Sequence, residues 1–159
     1  MDETHLPVFG IGPYLISIIG IITITSFICS YYHLIPVYKI NELNIVFLIL
    51  GIILIILGIA FWISAVLGSR ILKEVESNNL ITTGIYAYVR HPVYAAFLYI
   101  AIGLILISQN IFLFFLPVLF WAFLTVAMKR TEEKWLIDRY GDDYVNYSKR
   151  VNRFIPKVI

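Results

Sequence analysis

Residues Leu43–Leu67 read LNIVFLILGIILIILGIAFWISAVL, apolar from end to end and without a charged side chain. At about 1.5 Å per residue, a helix of that length is longer than the roughly 30 Å hydrocarbon core of a bilayer. A helix is also the element that satisfies its own backbone polar groups in lipid. This stretch therefore decides the fold class. Working outward from it, Tyr14–Tyr32 is a second such run, and Val93–Ile107 and Ile111–Met128 are two more, separated only by Ser108-Gln109-Asn110. The chain is thus expected to be an all-α, polytopic membrane bundle of about four transmembrane helices, ending in a helical hairpin and a cytoplasmic tail. Residues 1–159 are read as a single membrane-embedded domain. The third run is short for a span, so it either begins earlier, near Ala87, or the hairpin sits towards one leaflet.

Composition agrees. The chain is 60% hydrophobic and 14% charged with a mean hydropathy of +0.88, more apolar surface than a soluble domain of this size could bury. A net charge of +2 is too small for a nucleic-acid binder. Cys29 is the single cysteine, which excludes an intrachain disulfide and a cysteine-based metal cluster, and no metal site is expected. The opening Met1-Asp2-Glu3-Thr4-His5 lacks a basic n-region, so the first run is read as a retained span rather than a cleaved signal.

Charge orients the bundle. Of the 12 Lys and Arg residues, all but Lys39 lie in the 68–92 connection or after the fourth run. With four crossings those regions share a side, and the positive-inside rule makes it cytoplasmic, in a cell membrane.

Two segments on that side carry most of the polar chemistry. The first is Asn78-Asn79-Leu80-Ile81-Thr82-Thr83-Gly84-Ile85-Tyr86-Ala87-Tyr88-Val89-Arg90-His91-Pro92-Val93-Tyr94. Pro92 suits the first turn of a helix, which puts His91 at its cap beside free backbone N–H groups, a natural place for a carboxylate. An Arg–His pair flanked by tyrosines also serves as an interfacial anchor in an aromatic belt. The second segment is Lys129-Arg130-Thr131-Glu132-Glu133-Lys134-Trp135. Adjacent glutamates at the end of a span need water, a cation or a donor. Either helical pairs such as Lys129 with Glu133 satisfy them, or one glutamate receives the ammonium of a ligand. The basic, aromatic stretch Tyr147–Pro156 reads by itself as a surface lying against anionic lipid.

Taken together, Gly84-x-Tyr86-x-x-x-Arg90-His91-Pro92-x-Tyr94, Thr131-Glu132-Glu133, Gly141-Asp142-Asp143-Tyr144, Tyr147-x-Lys149-Arg150-Val151 and Pro156 resemble the isoprenylcysteine carboxyl methyltransferase family, with related membrane phospholipid methyltransferases sharing part of the pattern. The resemblance covers roughly Asn78 to Pro156, about half the chain, in the family's order and nearly its spacing. It implies a membrane enzyme that uses S-adenosylmethionine without a Rossmann fold. Its cofactor pocket would be built by segments 78–94 and 128–156. By position, the resemblance puts cofactor contacts on Asn78, Asn79, Leu80, Ile81, Tyr86, His91, Pro92, Val93, Tyr94, Glu132 and Glu133. His91 and the helix start suit the methionine carboxylate, Glu132 suits the ammonium, and tyrosine faces tolerate a sulfonium. One position departs: the family's substrate-facing arginine falls on Met128. Arg130 or Lys129 would then hold the acceptor, with Arg90 supporting the pocket. The chain is shorter than eukaryotic members of that family, which points to a prokaryotic one.

The implied reaction is in-line transfer of a methyl group to an amphiphilic or small acceptor at the bilayer, a carboxylate for preference. A carboxylate is already ionised near neutral pH and needs no general base. Transfer to a phospholipid amine or a small thiol is the rival chemistry. A non-catalytic membrane subunit or transporter is the rival of another class, although the spans carry no charge that would mark an ion pathway.

Overall fold

The computed structural model describes residues 11–68 and 79–156. Asn78, one of the expected cofactor contacts, lies outside the described residues. Six α-helices are found among them: α1 (Gly12–Tyr31), α2 (Asn44–Ile63), α3 (Pro92–Ser108), α4 (Leu116–Arg130), α5 (Glu132–Tyr140) and α6 (Asp142–Arg150). A π-helical stretch, Ser64–Gly68, prolongs α2. No strand occurs among the described residues, only an isolated parallel bridge between Val89 and Asn152.

Three stretches are long and apolar enough to cross a membrane: Gly12–Tyr31, Asn41–Leu67 and Ile111–Tyr140. The chain is accordingly an all-α integral membrane bundle. In the last stretch the apolar part ends before Lys129, and α5 carries five charges in its nine residues (Glu132, Glu133, Lys134, Asp138, Arg139). The span therefore stops at α4. Helix α3 has 17 residues, about 25 Å of rise, and is shorter than a typical span. Its start at Pro92 corrects the suggestion that it begins near Ala87, because Gly84–Ala87 forms a separate 3₁₀ turn. Proline fixes φ and its missing N–H is an orphan in the first turn anyway, so it starts helices well. α3 begins on Pro92, and α1 and α4 carry Pro13 and Pro117 at their second positions.

Helix α3 is the centre of the bundle. Its Ala95, Leu98, Ala101 and Ile105 are buried against Leu15 and Ile19 of α1 and against Phe120, Leu124 and Met128 of α4. Against α2 it packs backbone to backbone. A Cβ on Gly51 would stand 2.7 Å from the Gly103 carbonyl oxygen, and one on Gly58 would stand 2.6 Å from that of Ala96. The pairs run in opposite order along the two helices, so α2 and α3 are antiparallel. Small residues permit this approach, which in lipid replaces the hydrophobic drive that holds soluble helices together. The other faces of α1 and α2, including Ile21, Ile24, Ile49, Ile52 and Ile56, are exposed and apolar, as a lipid-facing surface requires.

The α3–α4 turn closes the end of the bundle far from the charged segments. Gln109 takes a left-handed conformation at φ 55°. Asn110 is fully buried; its Nδ2 donates to the Pro36 carbonyl at 3.0 Å and to Ser30 Oγ at 3.2 Å. Its Oδ1 accepts from the Phe112 N–H at 3.2 Å. One short polar side chain thus ties the α1–α2 connection to the hairpin.

Candidate functional site

The opposite end is built from three pieces of chain. Thr131, at φ −124° and ψ −89°, breaks α4 from α5 while its Oγ1 donates back to the Ala127 carbonyl at 2.7 Å. Glu132 and Glu133 thereby fall in the first turn of α5, where unpaired N–H groups favour negative charge. Gly141, at φ 52°, turns α5 into α6, a conformation that glycine adopts without strain. Beyond α6 the tail folds back. The Arg90 N–H donates to the Asn152 carbonyl at 2.9 Å and the His91 N–H to the Arg153 carbonyl at 3.1 Å. Phe154 inserts into the main core, and its carbonyl accepts from the Tyr99 hydroxyl at 3.0 Å. The tail is therefore packed against the start of α3. Val151 and Phe154 give it an apolar face of its own, so it closes over this end of the bundle and is more than a basic surface segment.

Glu133 is the hub. Arg153 grips it with two bonds, Nε to Oε1 and Nη2 to Oε2, both 2.7 Å. His91 Nε2 stands 3.3 Å from Oε1, and so does Arg90 Nη1. Burial alone would raise the Glu133 pKa, but the bonds from His91 and Arg153 and the charge of Arg90 outweigh it and hold it down at about 2. An ionised Glu133 only accepts, so His91 Nε2 must carry the proton in that bond. Arg90 also donates to the Tyr144 hydroxyl at 3.4 Å, and burial pushes Tyr144 up to about 12. The alternative that Lys129 satisfies Glu133 as a helical neighbour is not what the structure shows, since the partners of Glu133 come from α3 and the tail.

Glu132 differs from its neighbour. It accepts a hydrogen bond from the Tyr94 hydroxyl, and its other oxygen has His91 Nδ1 at 3.9 Å, an ionic neighbour beyond hydrogen-bond reach. Burial raises its pKa above the ordinary carboxylate value, only partly offset by the Tyr94 bond and the nearby His91. Its side chain keeps 20% of its exposure. It is the carboxylate of the pair with room for another partner.

The structure brings His91, Pro92, Tyr94, Glu132 and Glu133 together at one end of the bundle. Tyr86 sits beside them, its carbonyl accepting from the Tyr147 hydroxyl at 2.6 Å, and burial holds its own phenol far above the ordinary range. Leu80 packs on Tyr144, Tyr147 and Val151, whereas Asn79 is exposed and Ile81 and Val93 are half-buried. Beside the hub lies an open pocket of about 640 Å³ lined by Arg90, Lys129, Glu133, Ile137, Tyr144, Ser148, Val151, Asn152 and Arg153. Lys129 lines it. Arg130 is exposed and does not, and Met128 is fully buried in the core. Sequence reasoning gave no site role to Arg153 or to Tyr144, although Tyr144 closes the Gly141–Tyr144 motif. The available signal for Arg153 was two adjacent glutamates needing cations and an arginine set between the apolar Val151 and Phe154.

A profile described as Phospholipid methyltransferase matches residues 46–143. Protein-S-isoprenylcysteine O-methyltransferase of Schizosaccharomyces pombe is 36% identical over 87 residues, 54% of this chain and 36% of that protein. The Saccharomyces cerevisiae protein of the same name is 35% identical over 117 residues, 68% of this chain and 48% of its own length. Methanethiol S-methyltransferase 1 of Bradyrhizobium diazoefficiens is 32% identical over 84 residues, 53% of this chain and 28% of that protein. The matched part of this chain spans about half the length of these relatives, or less.

Proposed function

This chain belongs to the phospholipid methyltransferase family, and we propose that it is an integral membrane enzyme that moves a methyl group from S-adenosylmethionine to a carboxylate acceptor. The acceptor is amphiphilic or small, as for the relatives named for isoprenylcysteine. One observation carries this reading: the His91–Tyr94 start of α3 and the Glu132–Glu133 start of α5 meet through ionic and hydrogen bonds at one end of the bundle. Charge asymmetry supports placing that end at the cytoplasmic face, because Arg90 and the described basic residues from Lys129 to Arg153 lie there.

The residues fit the cofactor. Glu132, with a free acceptor position, suits an ammonium. The faces of Tyr86 and Tyr94 tolerate a sulfonium. Glu133 is already engaged by Arg153, Arg90 and His91, so it holds the site together rather than acting as a base. When bound, the cofactor supplies an activated methyl on sulfur, which leaves the protein to orient and desolvate. A carboxylate acceptor asks for no proton transfer, only for a cation at its approach. Lys129 and Arg90 line the pocket beside the hub and could supply it, whereas Arg130 lies outside that lining.

The Bradyrhizobium relative favours a second reading in which the acceptor is a small thiol. Labelled-methyl transfer by purified protein, run against prenylcysteine analogues, lipid extracts and small thiols, separates the two. Label in a base-labile methyl ester is the expected result. Label in a thioether supports the thiol reading, and no transfer to any of them contradicts the proposal.

A further inference from the structure

We propose that Gly12, at the start of α1, is a positioning residue: it seats the Tyr94 hydroxyl on Glu132 and makes the end of α1 a wall of the cofactor site. The proposal rests on the methyltransferase reading above and adds a residue outside the stretch that the family profile matches. Gly12 is buried, and a Cβ on it would stand 2.9 Å from the Tyr94 hydroxyl oxygen, 3.5 Å from Cζ and 3.9 Å from Cε1. Of these, the first alone is closer than ordinary van der Waals contact, so the missing methyl makes room for the hydroxyl rather than for the ring. That hydroxyl is the donor to Glu132. Three helices thus converge on one oxygen: α1 behind it, α3 carrying it and α5 accepting from it.

Backbone conformation does not ask for a glycine at this place. The glycines with positive φ among the described residues are Gly84 and Gly141. Within a helix, glycine is less stable than alanine, so space is the physical reason left for it. Gly20 on the same helix is the contrast, since a Cβ there meets nothing within 4 Å. An alanine at Gly12 would push the hydroxyl by about 0.5 Å to reach ordinary contact. The push either parts the hydroxyl from Glu132 or moves the carboxylate with it. Both displace the group that is to receive the cofactor's ammonium, and a binding site needs its groups held to about that precision. The obstructed atom is the far end of a side chain rather than backbone, so α1 itself keeps its place.

The test is a double-mutant cycle. S-adenosylhomocysteine is titrated by calorimetry into the full chain in detergent, as wild type, Gly12→Ala, Gly20→Ala, Tyr94→Phe and the double variant Gly12→Ala/Tyr94→Phe. Gly12→Ala should bind roughly tenfold more weakly than the wild type, and Gly20→Ala should bind as the wild type does. Added to Tyr94→Phe, Gly12→Ala should cause no further loss, because the oxygen that the methyl would meet is gone. A wedge that merely disturbed packing would weaken both backgrounds alike. Equal losses in the two backgrounds therefore overturn the proposal, as does unchanged affinity in Gly12→Ala or a matching loss in Gly20→Ala. Where Gly12→Ala folds poorly, or binding in the Tyr94→Phe background is too weak to read, the unfolding temperature carries the same cycle. It should fall on Gly12→Ala with the hydroxyl present and not without it, and a fall in both backgrounds overturns the proposal. Wild-type binding of S-adenosylhomocysteine leaves the methyltransferase reading standing in all of these cases. No binding by the wild type overturns that reading and the positioning role with it.

Discussion

The two ends of the bundle solve the same problem with different chemistry. At the far end a neutral amide, Asn110, joins the hairpin to the α1–α2 connection, and its donors and acceptor are all used on Ser30, Pro36 and Phe112. At the other end a carboxylate, Glu133, joins α5 to the start of α3 and to the tail through two arginines and a histidine. Both side chains are buried. Asn110 itself is saturated, although Asn44 Oδ1 at the same end is buried without a hydrogen-bond partner. The charged end keeps capacity in reserve: an unpartnered Arg90 Nε, an open acceptor position on Glu132 and a pocket beside them. Asn110 spends its hydrogen bonds on holding helices together, whereas Glu132 keeps an acceptor position that a ligand can take.

The contrast can be broken experimentally. The largest effect is expected from Glu133→Ala, which strands Arg90, His91 and Arg153 without their shared partner. Removing one side of a buried ion cluster costs about 3–5 kcal/mol. Thermal unfolding in detergent should show a large drop, accompanied by loss of S-adenosylhomocysteine binding. Asn110→Ala leaves buried Ser30, the Phe112 N–H and the Pro36 carbonyl without their partner and should cost about 2 kcal/mol. Cofactor affinity of the folded fraction should stay as in the wild type; a matching loss of affinity would erase the distinction between the two ends. Glu132→Gln keeps the volume and the Tyr94 contact but removes the charge, so calorimetry should show roughly tenfold weaker S-adenosylhomocysteine, ~1.4 kcal/mol, with little change in unfolding temperature.

The smallest effect concerns pH. The folded pKa of Glu133 lies below the unfolded carboxylate value, so its contribution is fully present above about pH 4.3 and is lost as pH falls through about 2. Stability should therefore begin to fall below about pH 4.3, and Glu133→Gln should flatten that part of the profile. Asn110→Ala, which removes no titrating group, should leave its shape unchanged.

Much of this was legible in the chain. Uninterrupted apolar runs mark α1, α2 and α4 to within a few residues, because a span needs only length and the absence of charge. His91-Pro92 marks the start of α3 because proline fits only a first turn. The glutamate pair and the Arg–His pair stood out because each is costly at a membrane boundary without a partner. Who partners whom was not legible. Arg153 reaches Glu133 only because α5 breaks from α4 at Thr131 and turns into α6 at Gly141, and neither angle is encoded in hydropathy. The packing of the tail was hidden for a related reason: Lys149, Arg150 and Arg153 are interleaved with the buried Tyr147, Val151 and Phe154 that seat it, which masks them in a hydropathy average. Lys129 and Arg130 are indistinguishable in the sequence, and only helix phase puts the first at the pocket.

The central claim is that the charged end of the bundle is a cofactor site. Titrating S-adenosylhomocysteine into the purified wild-type protein, His91→Ala and Glu132→Ala tests it most directly. Saturable binding to the wild type, weakened in both variants, is the expected result. No binding at millimolar ligand, or equal affinity in all three proteins, would contradict it.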